Sequence, residues 1–307
     1  MSKRYATIDI GTNTILMLIA EKSDNPESFL ELIDEHEIAR LGEGFATNPT
    51  KFIIPPAKER AIKILKRYRE LCDEFQVEKI FAVGTSALRE ATNGQEITKE
   101  LSSIIKTEIE LIPGEKEAEF SFKGAVSNNK PSIVIDIGGG STEIISGEDG
   151  KILKRISIPI GAVKLTEQYF NPHPTGKEKL KDASDYLDKI FFDLNLNFNA
   201  KDTEVFAVAG TPTTLAAVDL GLDDFQRNLI EGHKLSYSKI NELFELFNTF
   251  SISDIIEKYK VHPNRADVIT AGTLILKKVM KKINSNEIIA STKGIRYGMM
   301  KYLVINC

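Results

Sequence analysis

The chain of 307 residues carries 42% hydrophobic residues, enough for two packed cores, so it reads as a two-domain globular protein and not as a disordered one. Its net charge of −4, with 40 Lys and Arg against 44 Asp and Glu, excludes a general nucleic-acid binder; a polyanionic ligand has to be met by basic residues placed locally. Cys72 and Cys307 give no disulfide framework, His36, His173, His233 and His262 show no zinc spacing, and no segment reaches membrane-spanning length, so a cytoplasmic protein with no membrane partner is expected.

In chain order, residues 5–40 read as a three-stranded meander: a hairpin over 5–20, a turn at Ser23 to Pro26, and a strand from Phe29 to Ala39. The loop Arg40 to Phe45 carries Gly42 and Gly44 but opens no helix, so it is not a dinucleotide fingerprint. A helix starting at Pro55-Pro56 places Ala61, Ile64, Leu65, Tyr68, Leu71, Cys72 and Phe75 on one face, with its lysines and arginines on a solvated face. The strand Lys79 to Val83 ends in Gly84-Thr85-Ser86, which opens a helix through Arg89, the kind of strand end where ligands of α/β sheets gather. A helix closes at Leu101 to Ile105, Ile109 to Ile112 is a short strand, and Pro113-Gly114 turns into an acidic helix start with Glu115, Glu117 and Glu119.

Further on, the strand Ile152 to Ile158 leads to a glycine loop, Pro159 to Ala162, that answers the one at Gly42. Thr175 with Glu178 reads as a capping box for a helix burying Leu180, Ala183, Leu187 and Ile190. The strand Val205 to Val208 runs into Gly210 to Thr214, helices follow around 240–250 and 266–283, and the strand Glu287 to Ala290 precedes a terminal helix with Ile295, Met299 and Leu303.

Two stretches carry the chemistry. At residues 132–147 an apolar run leads into Asp136, then Gly138-Gly139-Gly140, Ser141, Thr142 and Glu143, then a second apolar run, which describes a hairpin with a glycine loop. Glycines at positive φ let a backbone approach a ligand closely, and successive N–H groups with hydroxyls supply donors to phosphoryl oxygens; an ordinary glycine hairpin between core strands is the plainer reading. Asp136, at the strand end, is placed to hold a divalent cation or orient a water. The same Ile-Asp-Ile-Gly occurs at Ile8 to Gly11, followed by Thr12, Asn13 and Thr14, and the strands at 80–86 and 205–211 also match. Matched elements in matched order mean a duplicated domain, joined by chain crossing with a cleft between the halves.

Two meander-plus-helix repeats, each with an Asp-X-Gly hairpin, resemble the ribonuclease-H-like fold of actin, Hsp70 and sugar kinases: α/β, duplicated, with an interdomain cleft. Domain I is expected over 1–122 plus 295–307 and domain II over 123–294. The motifs Asp9 to Thr14, Arg40 to Gly42, Thr85 to Ala91 with Asn93, Gly114 to Ala118, Asp136 to Glu143 and Ile160 to Ala162, with Gly210-Thr211, Arg265 to Asp267 and Gly272, resemble the exopolyphosphatase and guanosine pentaphosphate phosphohydrolase (Ppx/GppA) family across almost the whole chain. The resemblance implies hydrolytic release of the terminal phosphate from polyphosphate or pppGpp with Mg²⁺ or Mn²⁺, in a short two-domain form for which a homodimer is allowed.

It also implies Glu117 as the catalytic base, a role that spacing alone does not assign, because the three glutamates read equally well as dipole-satisfying acids. Gly11, Thr12, Asn13, Arg89, Gly138, Gly139, Gly140 and Ser141 are then expected on the phosphates, and Asp9, Asp136 and Glu143 near the metal. Arg89 reads equally as a surface ion pair, and Arg40 and Arg265 are weaker candidates of the same kind. The segment Thr292 to Gly298 is bulkier and more charged than the family pattern, so a ligand role there is not assigned. The rival readings are a non-catalytic actin- or Hsp70-like nucleotide binder and a sugar kinase.

Overall fold

A computed structural model describes residues 3–25, 28–194 and 198–306; Pro26 of the expected turn and Cys307 lie outside the described residues. The chain divides into two compact units, Met1–Gly124 with Lys293–Cys307, and Ala125–Thr292.

The first unit contains β1 (Arg4–Ile10), β2 (Thr14–Lys22), β3 (Phe29–Ile38), α1 (Pro55–Glu74), β4 (Lys79–Gly84), α2 (Ser86–Glu90), α3 (Gly94–Ile105), β5 (Ile109–Leu111) and α4 (Gly114–Ala125). Its sheet runs β3-β2-β1-β4-β5, an antiparallel meander extended by two parallel strands. The period-2 alternation of β1 sends Ala6, Ile8 and Ile10 into a core with Ala61, Leu65 and Leu101, so α1 and α3 cover that face. Tyr68 of α1 donates its buried hydroxyl to the Ile15 carbonyl at 3.0 Å, and burial raises its pKa far above the ordinary phenol value. Tyr5, Thr7 and Asp9 consequently occupy the other face.

The second unit contains β6 (Ser132–Ile137), β7 (Thr142–Glu148), β8 (Lys151–Ile158), α5 (Ala162–Tyr169), α6 (Lys177–Asp193), β9 (Glu204–Val208), α7 (Gly210–Asp219), α8 (Arg227–Ile230), β10 (Lys234–Ser236), α9 (Tyr237–Thr249), α10 (Ile252–Tyr259), α11 (Pro263–Ala266), α12 (Ile269–Lys282) and β11 (Glu287–Ala290). Its sheet order, β10-β11-β9-β6-β7-β8, repeats the plan of the first with one extra edge strand, which is the duplicated ribonuclease-H-like α/β fold expected from the sequence. Ile133, Ile135 and Ile137 feed a core with Leu165, Leu187, Leu215 and Leu276, leaving Val134 and Asp136 on the opposite face. The turn between β7 and β8 is Asp149-Gly150, both at positive φ (50° and 71°), the two-residue geometry that a twisted hairpin favours. The expected capping box fails: the N-cap of α6 is Gly176, one residue after Thr175, and no side chain caps it. The Thr175 hydroxyl is instead buried without a hydrogen-bond partner among the described residues.

The terminal helix α13 (Ile295–Asn306) belongs to the first unit, where Tyr297, Met300 and Leu303 pack on Tyr5, Leu18 and Ala20. Gly298 lies where a Cβ would stand 1.9 Å from the Phe120 carbonyl oxygen, so glycine permits the close approach of α13 to α4. Arg296 grips Asp34 of β3 through two hydrogen bonds, 2.6 and 2.9 Å, while its carbonyl accepts from Thr7 of β1 at 3.0 Å. The charged segment that departs from the family pattern thus ties the end of the chain to its first sheet. Both side chains are nearly buried, at 11% and 13% exposure, and breaking one side of such a pair costs roughly 3–5 kcal/mol. Arg296→Met is therefore expected to lower the urea midpoint of the first unit clearly, whereas Arg296→Met with Asp34→Leu should recover most of the loss. An unchanged midpoint in the single variant would show that the pair contributes nothing.

Candidate active site

The two Asp hairpins are in the same register. Ile10 pairs with Ile15 and Ile137 with Thr142, so each hairpin has a four-residue loop, Gly11–Thr14 and Gly138–Ser141. Gly11 donates its amide to the Thr14 carbonyl and Gly138 to that of Ser141, both at 3.0 Å. The sequence expectation of positive φ in these loops is not met: Gly11, Gly138, Gly139 and Gly140 are all outside the left-handed region. A four-residue loop can turn through type I geometry, which needs no left-handed residue. What requires glycine is close approach, since a Cβ on Gly11 would stand 2.9 Å from the Thr14 carbonyl oxygen.

Each loop is clamped from outside by a second loop. In the first unit the amides of Ala39 and Arg40 donate to the Asn13 carbonyl and that of Gly42 to the Thr12 carbonyl, at 2.9–3.0 Å. Arg40 takes a left-handed φ of 52° there, and a Cβ on Gly42 would stand 2.3 Å from the Thr12 methyl. In the second unit, Ala162 at the first turn of α5 donates to the Gly138 carbonyl at 2.9 Å, and Val163 and Lys164 to that of Gly139 at 3.0 and 3.2 Å. These are amides that a helix start leaves without an intrahelical acceptor. Thr142 adds a buried hydrogen bond to the Ile160 carbonyl at 2.7 Å. With the carbonyls so engaged, the amides of Thr12, Asn13, Gly139, Gly140 and Ser141 donate to no acceptor among the described residues. Such a run of unengaged N–H groups is a nest for an anion.

The side chains around the two loops differ. In the second unit Asp136 and Glu143 face each other across β6 and β7, with Cβ atoms roughly 5 Å apart by the geometry of a directly opposed pair. They are 8% and 1% exposed. Ser157, the next residue across on β8, donates to Glu143 Oε1 at 2.6 Å, a contact no sequence motif signals because it depends on the β7–β8 register. In the first unit the corresponding row is Asp9, Leu16 and His36, so the repeat has one carboxylate where the second unit has two. Asp9 is 7% exposed. Among the described residues, no group of three or more His, Cys, Asp or Glu side chains forms a ready-made metal cluster. The structure thus brings Asp136 and Glu143 together, and leaves Asp9 on a different unit.

Glu117 sits in the first turn of α4, its amide donating to the Pro113 carbonyl at 3.1 Å. Its side chain is 13% exposed, so it is not on a solvated face, and Arg89 Nη1 lies 3.9 Å from its Oε2. Arg89 is fixed by donating Nη1 to the Ile112 carbonyl at 2.7 Å, immediately before α4. Arg89 and Glu117 therefore form one constellation, and of the two sequence readings of Arg89 the ion pair is the one this geometry displays. The neighbouring acids differ: Glu115 is exposed, and Glu119 is bracketed by Lys116 and Lys123 at 3.1 and 2.8 Å. Burial pushes Glu119 up, but the hydrogen bonds from Lys123 and Lys116 outweigh it and hold the group below its ordinary pKa.

The remaining candidate arginine, Arg265 of α11, packs its guanidinium over Gly210 at the start of α7, where a Cβ would fall within 1.8 Å of Nη1. Gly272 of α12 makes room for Thr211 in the same way. That motif is a packing knot between helix starts.

The sequence profile of the Ppx/GppA phosphatase family matches residues 18–305; the loop Gly11–Thr14 of the first hairpin precedes the match, which begins within β2. The chain is 34% identical over 301 residues to a bifunctional 3-dehydroquinate synthase/phosphatase of Fusobacterium nucleatum, covering 93% of this chain and 44% of that protein, so it spans less than half of that relative. It is 29% identical over 293 residues to exopolyphosphatase 2 of Mycobacterium tuberculosis, covering 91% of each. The crystal structure of the Aquifex aeolicus Ppx/GppA family member superposes with a TM-score of 0.83 at 29% identity, covering 100% of this chain and 99% of the other.

The clamp makes a separate expectation. A Cβ on Gly161 would stand 2.5 Å from the Gly138 carbonyl oxygen and from the Gly139 carbonyl carbon, both backbone atoms that cannot rotate away. Gly161→Ala is expected to destabilise by about 1–3 kcal/mol, the usual cost of overpacking, and to speed amide hydrogen exchange at residues 138–142. Gly176→Ala, with nothing within 4 Å of the added carbon, should leave both unchanged. Equal exchange in the two variants would show that the clamp does not order the loop.

Proposed function

The chain belongs to the Ppx/GppA phosphatase family, and we propose that it hydrolyses the terminal phosphoanhydride of a phosphate chain, releasing orthophosphate from inorganic polyphosphate or from guanosine pentaphosphate. The observation that carries this reading is the pair of clamped hairpins, each presenting unengaged amides beside a buried aspartate at a strand end. Phosphoryl transfer needs positioning and charge neutralisation more than covalent chemistry, and such loops supply both.

In this reading the amides of Thr12 and Asn13 in one unit, and of Gly139, Gly140 and Ser141 in the other, bind phosphoryl oxygens. Two opposed, buried carboxylates repel unless a cation or proton sits with them, so Asp136 and Glu143 fit a hard divalent ion such as Mg²⁺ or Mn²⁺. A site with two protein carboxylates suits Mg²⁺, which completes its shell with water and phosphate oxygens, and the ion supplies charge neutralisation at those oxygens when bound. Asp9 is the corresponding acid of the first hairpin and is assigned to the same ion-binding role.

Glu117 takes the proton of the attacking water as that oxygen bonds to the terminal phosphorus. The anhydride P–O bond breaks, its electron pair stays on the leaving phosphate oxygen, and Arg89 adds positive charge beside the base. Because Arg89 is anchored on the Ile112 carbonyl, its position is held by the same turn that starts α4.

The assay that tests the reading measures orthophosphate release side by side from long polyphosphate, tripolyphosphate and guanosine pentaphosphate, with no acceptor sugar present. Release from none of them would overturn it. Glu117→Gln is expected to keep the fold and KM while lowering kcat by roughly 10²- to 10⁴-fold, the scale of general-base catalysis, whereas Glu115→Gln should retain full activity. Equal, small losses at both positions would remove Glu117 from the base role. Asp136→Asn and Glu143→Gln should each raise the divalent-ion concentration needed for half-maximal activity by about tenfold or more at an unchanged melting temperature. A variant with wild-type ion dependence would lose its place in the metal site.

A further inference from the structure

We propose that the second unit carries a separate anion site, a groove of about 430 Å³ between α6, α9 and α12, that binds a soluble phosphoanhydride chain. Lys177 and Lys181 of α6 and Lys277, Lys278 and Lys281 of α12 line it, with Tyr237 and Phe244 of α9 as aromatic walls. No carboxylate lines it, in a chain whose net charge is −4. None of the hairpin residues takes part: α12 meets the Thr211 turn through Gly272, and Lys281 lies nine residues further along, roughly 13 Å down the helix axis.

The plain alternative is that these lysines form a solvated face. The macrodipole accounts for Lys281, which lies in the last turn of α12, where a cation is favoured. It works against Lys177, the first residue of α6, where the helix end is itself positive. The acid that suits that end, Glu178, does not line the groove.

Solvation fails for Lys277 as well. Its side chain is 14% exposed and its ammonium lies 4.1 Å from the centre of the Phe244 ring, so burial pushes its pKa down. Its carboxylate partner, Glu245, is 3.8 Å away and 63% exposed. Lys278 pairs with Asp188 and Lys181 with Asp185 at 3.6 Å, again with acids more than half exposed at the rim. Lys177 and Lys281 pair with no acid among the described residues.

A concave site of this volume holds a small ligand, and compact lysine charges whose acids are more than half exposed and do not line the groove match closely spaced phosphate charges. Partial burial among aromatic rings strengthens each charge contact relative to water. A flat, extended polyanion such as a membrane surface or nucleic acid meets the negative field of the whole chain, whereas a short phosphate chain enters the groove alone. Inorganic polyphosphate and nucleoside polyphosphates share that chemistry. The inference concerns binding and does not depend on hydrolysis at the hairpins.

The test is protection of lysines from a pulse of acetic anhydride in the full chain, read by mass spectrometry. The probes are tripolyphosphate, the β,γ-methylene analogue of GTP, and phosphatidylserine vesicles. At ten times the dissociation constant, a soluble phosphate chain should slow acylation of Lys277 and Lys281 about tenfold while leaving exposed Lys201 unaffected. Protection by tripolyphosphate alone assigns the groove to inorganic chains, by the nucleotide alone to nucleotides, and by both to the phosphate chain whatever carries it. Protection by vesicles alone, or of none of the five lysines, would overturn the proposal. In Lys181→Gln/Lys277→Gln/Lys281→Gln, protection of Lys177 and Lys278 should fall to background; wild-type protection there would also overturn it.

Discussion

The direction of hydrogen bonding between each hairpin loop and its clamp decides what the loop can bind. Amides of Ala39, Arg40 and Gly42, and of Ala162, Val163 and Lys164, are spent on loop carbonyls, so the side of each loop that stays open is its N–H side. Were the pairing reversed, the loops would present carbonyl oxygens and repel phosphate. The glycines at 42 and 161 follow from the same constraint, because the clamps approach the loops more closely than a Cβ allows. Arg40 even accepts a left-handed backbone to keep its amide on Asn13, a conformation that costs a non-glycine residue roughly 1–2 kcal/mol.

On this shared frame the two units have diverged in what they offer. The row Asp136, Glu143, Ser157 crosses three strands of the second unit and holds its glutamate by a hydroxyl, while the same row in the first unit reads Asp9, Leu16, His36. Leu16 packs beside Val83, Ile112 and Phe120, so the first unit uses that position for the core under α4. In exchange, α4 brings Glu117 and the turn that anchors Arg89. The opposed pair Asp136 and Glu143 lies on one copy of the fold, and Glu117 with its arginine lies on the other, together with the single hairpin acid Asp9.

The repeat was legible in the sequence because strands announce themselves by period-2 burial and the Asp-X-Gly hairpins share identical residues. The loop conformation was not legible, since glycine marks both left-handed turns and close approach, and only the register of Ile10 with Ile15 shows that the loop is long enough to avoid the former. The capping-box motif at Thr175 points one residue early, because the motif cannot tell an N-cap from the residue before it. The lysines of α6 and α12 were hidden for a related reason: spacing of four on a helix describes a solvated face and a groove wall equally well. Which one obtains is set by the neighbouring helix.

The three glutamates of α4 show how neighbours decide chemistry that spacing leaves open. All lie near a helix start, and all would satisfy its dipole. Glu119 is held by two lysines, which lower its proton affinity and leave it a poor acceptor. Glu115 faces solvent, where no positioned substrate proton can reach it selectively. Glu117 alone is largely buried beside one anchored guanidinium, at 3.9 Å and therefore outside direct hydrogen-bonding distance. That separation keeps the pair out of the bidentate geometry in which an arginine occupies both oxygens of a carboxylate. Arg89 Nη1 is committed to the Ile112 carbonyl, which ties the guanidinium to the turn that opens α4 and so sets its distance from the carboxylate.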